Sequence, residues 1–147
     1  MSNGPRPSER CLLSALCDRR TGEKVRFLGC VTGYSAHCAH ITLKHSFPKK
    51  SSHVEALVDV KLLLETLKFE QIQMGQWVHV IGYLTFISPE VLAPATGPRD
   101  SSRSKATTQV SVQALVFWVA RDLDLAVYEK SMLLDTDQNT ASLALRN

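Results

Sequence analysis

Apolar and polar residues alternate with a period of two in five stretches of this chain, the pattern of strands buried on one face. The first starts at Glu23. In KVRFLGCVTGYS, Val25, Phe27, Gly29, Val31 and Gly33 share a face, and Gly29 and Gly33 mark places where a strand can bulge or coil sharply. A hairpin turn over 35–39 leads to HITLKH, with Ile41 and Leu43 inward and Thr42 and Lys44 outward. The third stretch sets Val54, Ala56, Val58 and Val60 against Glu55, Leu57 and Asp59. In the fourth, Val78, Val80, Gly82 and Leu84 oppose Trp77, His79, Ile81 and Tyr83. The fifth places Val110, Val112, Ala114, Val116 and Trp118 together. From Ala114 onward its other face is apolar too (Leu115, Phe117, Val119), which predicts burial on both sides.

Three segments change the period. Leu12, Leu13 and Leu16 predict a short helical turn able to plug one end of a barrel. Val60, Leu63, Leu64 and Leu67 lie at i, i+3, i+4 and i+7 and predict a helix between the third and fourth strands. A last helix is expected over 122–134, capped by Asp122 or Asp124. It carries two apolar stripes. Leu123, Ala126, Val127, Leu133 and Leu134 cluster on one side, with Leu125, Tyr128 and Met132 nearly opposite. A surface helix needs only one stripe to pack on its own domain, so one stripe is expected to pack on the barrel and the other on a partner. Residues 1–8 and 135–147 read as flexible arms around a single domain over 9–134. The stretch 88–107, rich in proline and small polar residues, reads as a long loop.

Three strands, a helix, two further strands and no βαβ alternation is the order of a five-stranded OB-fold barrel, all-β with accessory helices. Such barrels bind single strands by combining a basic groove with aromatic side chains on which bases stack. The candidates on this chain are Arg26, Tyr34, Lys44, Trp77, His79 and Tyr83 on strands, and Lys49, Lys50, Arg99, Arg103 and Lys105 in loops. Charge supports that placement only in part. The net charge is +3, but residues 1–50 hold nine Lys/Arg against three Asp/Glu, an excess that residues 51–96 and 108–147 lack.

Other chemistries find little footing. The four cysteines (Cys11, Cys17, Cys30, Cys38) fall in the first 38 residues, with no secretory pattern at MSNGPRPSER to favour a disulfide scaffold. His37, Cys38, His40 and His45 are close in sequence, yet their spacing is not that of structural zinc, and no metal or other cofactor is expected. No apolar run approaches the ~20 residues of a membrane span. No phosphate loop, zincin or nucleophile-elbow motif is present, so an enzyme is not expected.

The runs SERCLLSAL and KVRFLGCVTGYS, then VDVKLLLETLK, MGQWVHVIGYL and QVSVQALVFW, resemble the Ten-one family of telomere-capping proteins, the smallest subunits of the CST complex. The resemblance spans residues 8–134 except the 88–107 loop. It implies a nuclear protein at chromosome ends that pairs with a Stn-type OB-fold subunit. That pairing is similar to the one between the two small subunits of replication protein A, in which the C-terminal helices pack together, and the resemblance implies that Leu125, Tyr128 and Met132 are the partner-binding stripe here. It further implies association with the large CST subunit, binding of single-stranded telomeric DNA by the complex, and support for lagging-strand fill-in by DNA polymerase α–primase. The family's DNA contacts do not carry over to individual residues. An independent single-stranded DNA or RNA binder that needs no partner is the competing reading.

Overall fold

The computed structural model describes residues 7–48, 54–88 and 107–134. Six strands lie among the described residues: a short β1 (Glu9–Arg10) that the alternation did not predict, and the five alternating stretches as β2 (Lys24–Ser35), β3 (His40–Lys44), β4 (Val54–Asp59), β5 (Trp77–Ile87) and β6 (Thr108–Val119). Their order is β1-β2-β3-β4-β6-β5, and β5 pairs back onto β2, closing a five-stranded barrel with β1 as a short parallel addition outside it. β2 is long enough to serve both ends of the closure. Its first half, 24–30, pairs with β5, and its second half pairs with β3. The β4–β6 pairing that completes the barrel is parallel.

The inward sets are those the alternation predicts for β2 to β5. Val25, Phe27, Ile41, Leu43, Ala56, Val58, Val60, Val78 and Val80 are fully buried. Leu13 and Leu16, in a 3-10 turn over Leu13–Asp18, close one end of the barrel, and both are fully buried. That turn is tied across the barrel mouth by the Ser14 hydroxyl, which donates to the Phe47 carbonyl at 2.7 Å.

Two expectations need correction. The ladder places Val116 opposite Ile81 but Ala114 opposite Gly82, so Leu115 is an extra residue, a β-bulge. One extra residue inverts the faces beyond it. Phe117 turns into the core at 9% exposure, while Val116, at 46%, and Trp118 move to the outside, away from the set that contains Val110 and Val112. The segment after β4 is also not an α-helix. Two 3-10 turns, Lys61–Leu63 and Phe69–Ile72, carry the chain across the barrel end. The Asp59 carboxylate accepts from the Lys61 amide at 2.9 Å, and the Leu63 carbonyl takes both the Thr66 and Leu67 amides. Lys68 then returns to extended backbone, so the Leu stripe stops after one turn. Val60 is buried, Leu63 and Leu67 are partly buried, and Leu64 faces solvent.

One α-helix occurs among the described residues: α1, which spans 125–134. Asp124 starts it: its Oδ1 accepts from the Val127 amide at 3.2 Å, and its carbonyl accepts from Tyr128 at 3.0 Å. No helix among the described residues is long and apolar enough to cross a membrane. The stretch 89–106 and both chain ends lie outside the described residues, and so do the expectations placed on them.

Candidate partner and nucleic-acid interfaces

α1 lies on the outside of the barrel because the barrel has an apolar residue there to cover. Arg26, Leu28 and Cys30 alternate with the inward residues of β2, yet Leu28 is fully buried. Tyr128 reaches the Leu28 backbone, and burial pushes its phenol up from the usual value against the pull of Arg10 and Arg26. Met132, one turn further along, is 3% exposed. The stripe assigned from sequence to a partner, Leu125–Tyr128–Met132, is therefore the one that packs on the barrel, with Leu125 beside Phe47. The other stripe is the more exposed, with Val127 62%, Leu133 45% and Leu134 54% exposed, and Leu133 at its border lines the same hollow as Leu125 and Phe47. Two stripes were legible in the sequence, but the one assigned to a partner is the one that the barrel covers.

Between α1 and the barrel sits an aromatic cluster. His45, directly after β3, is 4% exposed and packs edge-on to Trp77 with ring centroids 5.2 Å apart and beside Phe47 at 6.0 Å. Neither ring nitrogen has a hydrogen-bond partner among the described residues. The nearest carboxylate oxygen, Oε1 of Glu129, is 3.8 Å from Nε2, an ion-pair distance too long for a hydrogen bond. Burial pushes the imidazole pKa down, and Glu129 pulls it part of the way back. Next along β5, His79 stacks on Trp118 at 5.0 Å and meets Tyr128 edge-on. Arg26 places its guanidinium 5.3 Å from the Trp118 ring centroid. Burial, then the Arg26 charge, lowers the His79 pKa. Arg26 and Trp77, both candidates for nucleic acid, are thus engaged inside the chain. His45, His79 and Trp118 as one cluster escaped the sequence reading, because the bulge at Leu115 is what brings Trp118 to this side.

The other candidates fall on different parts of the surface. Lys44 lies opposite Glu55 in the β3–β4 ladder and pairs with it at 3.3 Å, which offsets its charge. Tyr83 sits between Lys24 and Gln113 in the ladder and is 36% exposed. The register shift between Val31 and Gly33 puts Tyr34 across from inward-facing Ile41, at 39% exposure, near the hairpin end. Lys49, Lys50, Arg99, Arg103 and Lys105 lie outside the described residues. The structure therefore does not gather the described candidates into one basic groove. No cluster of three or more His, Cys, Asp or Glu residues able to hold a metal occurs among the described residues.

With this geometry in hand, the chain can be set beside known proteins. No curated protein sequence matches it. Its fold is similar to that of a chain in the Stn1–Ten1 complex of S. pombe, with a TM-score of 0.61, 19% identity, and coverage of 91% of this chain and 96% of that one. It is equally similar to the telomere-capping protein Ten1 from Saccharomyces pombe, with a TM-score of 0.60, 18% identity, and coverage of 89% and 99%. U. maydis replication protein A bound to single-stranded DNA shares the fold with a TM-score of 0.54 at 15% identity, over 91% of this chain and 94% of that one. A family model described as telomere capping, CST complex subunit, matches residues 1–133, so the chain belongs to the Ten1 family.

Proposed function

We propose that this chain is the small OB-fold subunit of a CST-type complex that protects chromosome ends, held by a Stn-type partner that docks on the outward face of α1. The observation that carries this reading is the free apolar stripe Val127, Leu133 and Leu134, on a helix whose other face is already used against the barrel. Apolar side chains repeated along one exposed helix face are the usual anchor for a second helix. The fold shared with a chain of the Stn1–Ten1 complex supports the choice of partner. In this reading the protein is not an enzyme and works in the nucleus at telomeres. It contributes to single-stranded DNA binding within the complex that contains the large CST subunit, and acts on fill-in by DNA polymerase α–primase only through that complex.

The electrostatics favour a shared rather than an independent DNA site. Among the described candidates, Lys44 is offset by Glu55 and Arg26 is held over Trp118, so neither projects alone from the outer strands. Phosphate contacts supply most of the affinity of a single-strand binder. The test is fluorescence anisotropy of a G-rich single-stranded oligonucleotide with the full chain alone, then with the Stn-type subunit. Weak binding alone that strengthens with the partner is expected, and Val127→Asp with Leu134→Asp abolishes co-purification while leaving the barrel folded. Tight, strongly salt-dependent binding by the lone chain overturns the reading in favour of an independent binder.

A further inference from the structure

β6 has flanks of unequal length. β5 accompanies it as far as Val119, but β4 pairs only from Thr108 to Gln113, where its own course ends at Asp59. Residues 114–119 have a strand on one side alone. The Ala120 amide donates to the Trp77 carbonyl at 2.9 Å, which fixes the phase of the ladder. In an antiparallel pair the backbone groups of alternate residues turn toward the partner. Those of Trp118 and Val116 thus turn to β5, and those of Phe117 and Val119 turn away. Among the described residues, no backbone bond joins Phe117 or Val119 to the 60–76 connector that lies on that side.

Two adjoining hollows lie beside this edge. One is lined by Leu63, Leu67, Leu115 and Phe117, with Thr66 and Gln71 among its other members. The other is lined by Lys68, Glu70, Trp118 and Arg121, and Gln71 borders both. Lys68 and Arg121 are exposed and have no ion-pair partner among the described residues, so two cations face one carboxylate there.

We propose that the free edge of β6 at 115–119 accepts an extended acidic peptide as an added strand. Its main chain completes the hydrogen bonds of Phe117 and Val119, an apolar side chain enters the leucine hollow, and an acidic side chain meets Lys68 and Arg121. Addition to an open strand edge draws affinity from main-chain bonds and specificity from alternate side chains. None of the residues lining this surface belongs to the exposed stripe of α1.

The experiment uses the full chain labelled with nitrogen-15 and a set of eight-residue peptides alternating threonine with valine or leucine. Each peptide ends in Asp-Glu or in Lys-Lys, at either terminus. Acid-ended peptides are expected to shift the amides of 115–119 and to slow hydrogen exchange at Phe117 and Val119, which exchange faster than Trp118 in the free chain. Lys-ended peptides bind about tenfold more weakly. Val119→Pro removes a donor on the open side and abolishes binding. Should that variant unfold, Lys68→Glu with Arg121→Glu, both at the surface, lowers affinity for the acid-ended peptides by about tenfold. Four results overturn the proposal: no peptide of the set binds, shifts concentrate on α1, the charge reversals leave affinity unchanged, or an oligo-dT strand perturbs 115–119 more strongly than any peptide.

Discussion

Oε1 of Glu129 on α1 lies 3.8 Å from Nε2 of His45, an imidazole buried at the junction of α1 with the barrel. The pair joins the helix to the barrel across an aromatic floor of Trp77 and Phe47, and its charge state is set by two opposed effects. Burial favours the neutral ring and Glu129 favours the protonated one, with burial the larger, so the pKa lies below 6.5.

A histidine depressed in the folded state binds fewer protons there than it does unfolded. Its contribution to stability is complete above pH 6.5 and is lost as pH falls through that value toward the folded pKa. The thermal midpoint should therefore drop between about pH 7 and pH 5, before most carboxylates titrate. His45→Phe is expected to flatten that slope, leaving the part due to His79, which is depressed in the same direction. Glu129→Gln removes the opposing pull and should steepen it. Circular dichroism melts across this range decide the matter.

The two faces of α1 should respond differently to truncation. Met132→Ala empties a site that is 3% exposed, and a loss of about 2–4 kcal/mol in urea unfolding is expected. Val127→Ala, at a site 62% exposed, should change stability by less than about 0.5 kcal/mol. Equal losses would mean that α1 is rotated from the orientation described.

Gly82 is predicted to be irreplaceable where Gly33 is not. A Cβ at Gly82 would stand 2.2 Å from the Gln113 carbonyl oxygen, with backbone of Ala114 also in contact. Neither can move without opening the β5–β6 ladder, and a cost of about 3–4 kcal/mol follows for Gly82→Ala. At Gly33 the nearest atom is 3.7 Å away, an ordinary contact, so Gly33→Ala should cost less than about 1 kcal/mol. Denaturant midpoints of the two variants make the comparison.

Removing Arg26 should release His79. The guanidinium charge adds to burial in lowering the His79 pKa, so Arg26→Ala is expected to raise it back toward 6.5, as followed by the imidazole proton shifts in a pH titration. The same variant uncovers the Trp118 ring, and its emission should shift to the red. An unchanged His79 titration would place Arg26 away from the stack.

The sequence by itself determined the five barrel strands, their inward sets from β2 to β5, and the order that closes an OB-fold barrel, though not the short β1. Period-two alternation is a local property that survives whatever the strands pack against. It also showed that the last helix has two apolar stripes. Only the tertiary structure decided which stripe is free, because the answer depends on Leu28, about a hundred residues away, needing cover on the outside of β2. The bulge at Leu115 was likewise invisible: it arises where β6 must match β5 at Gly82, and it alone moves Trp118 to the His79 side and Phe117 into the core. The connector after β4 carried a helical stripe but folds as single turns, since local helix preference is worth tenths of a kcal/mol per residue and crossing the barrel end outweighs it. Patterns within one element were legible because they follow from backbone geometry. Contacts between elements were not, since each depends on a residue that the sequence places elsewhere.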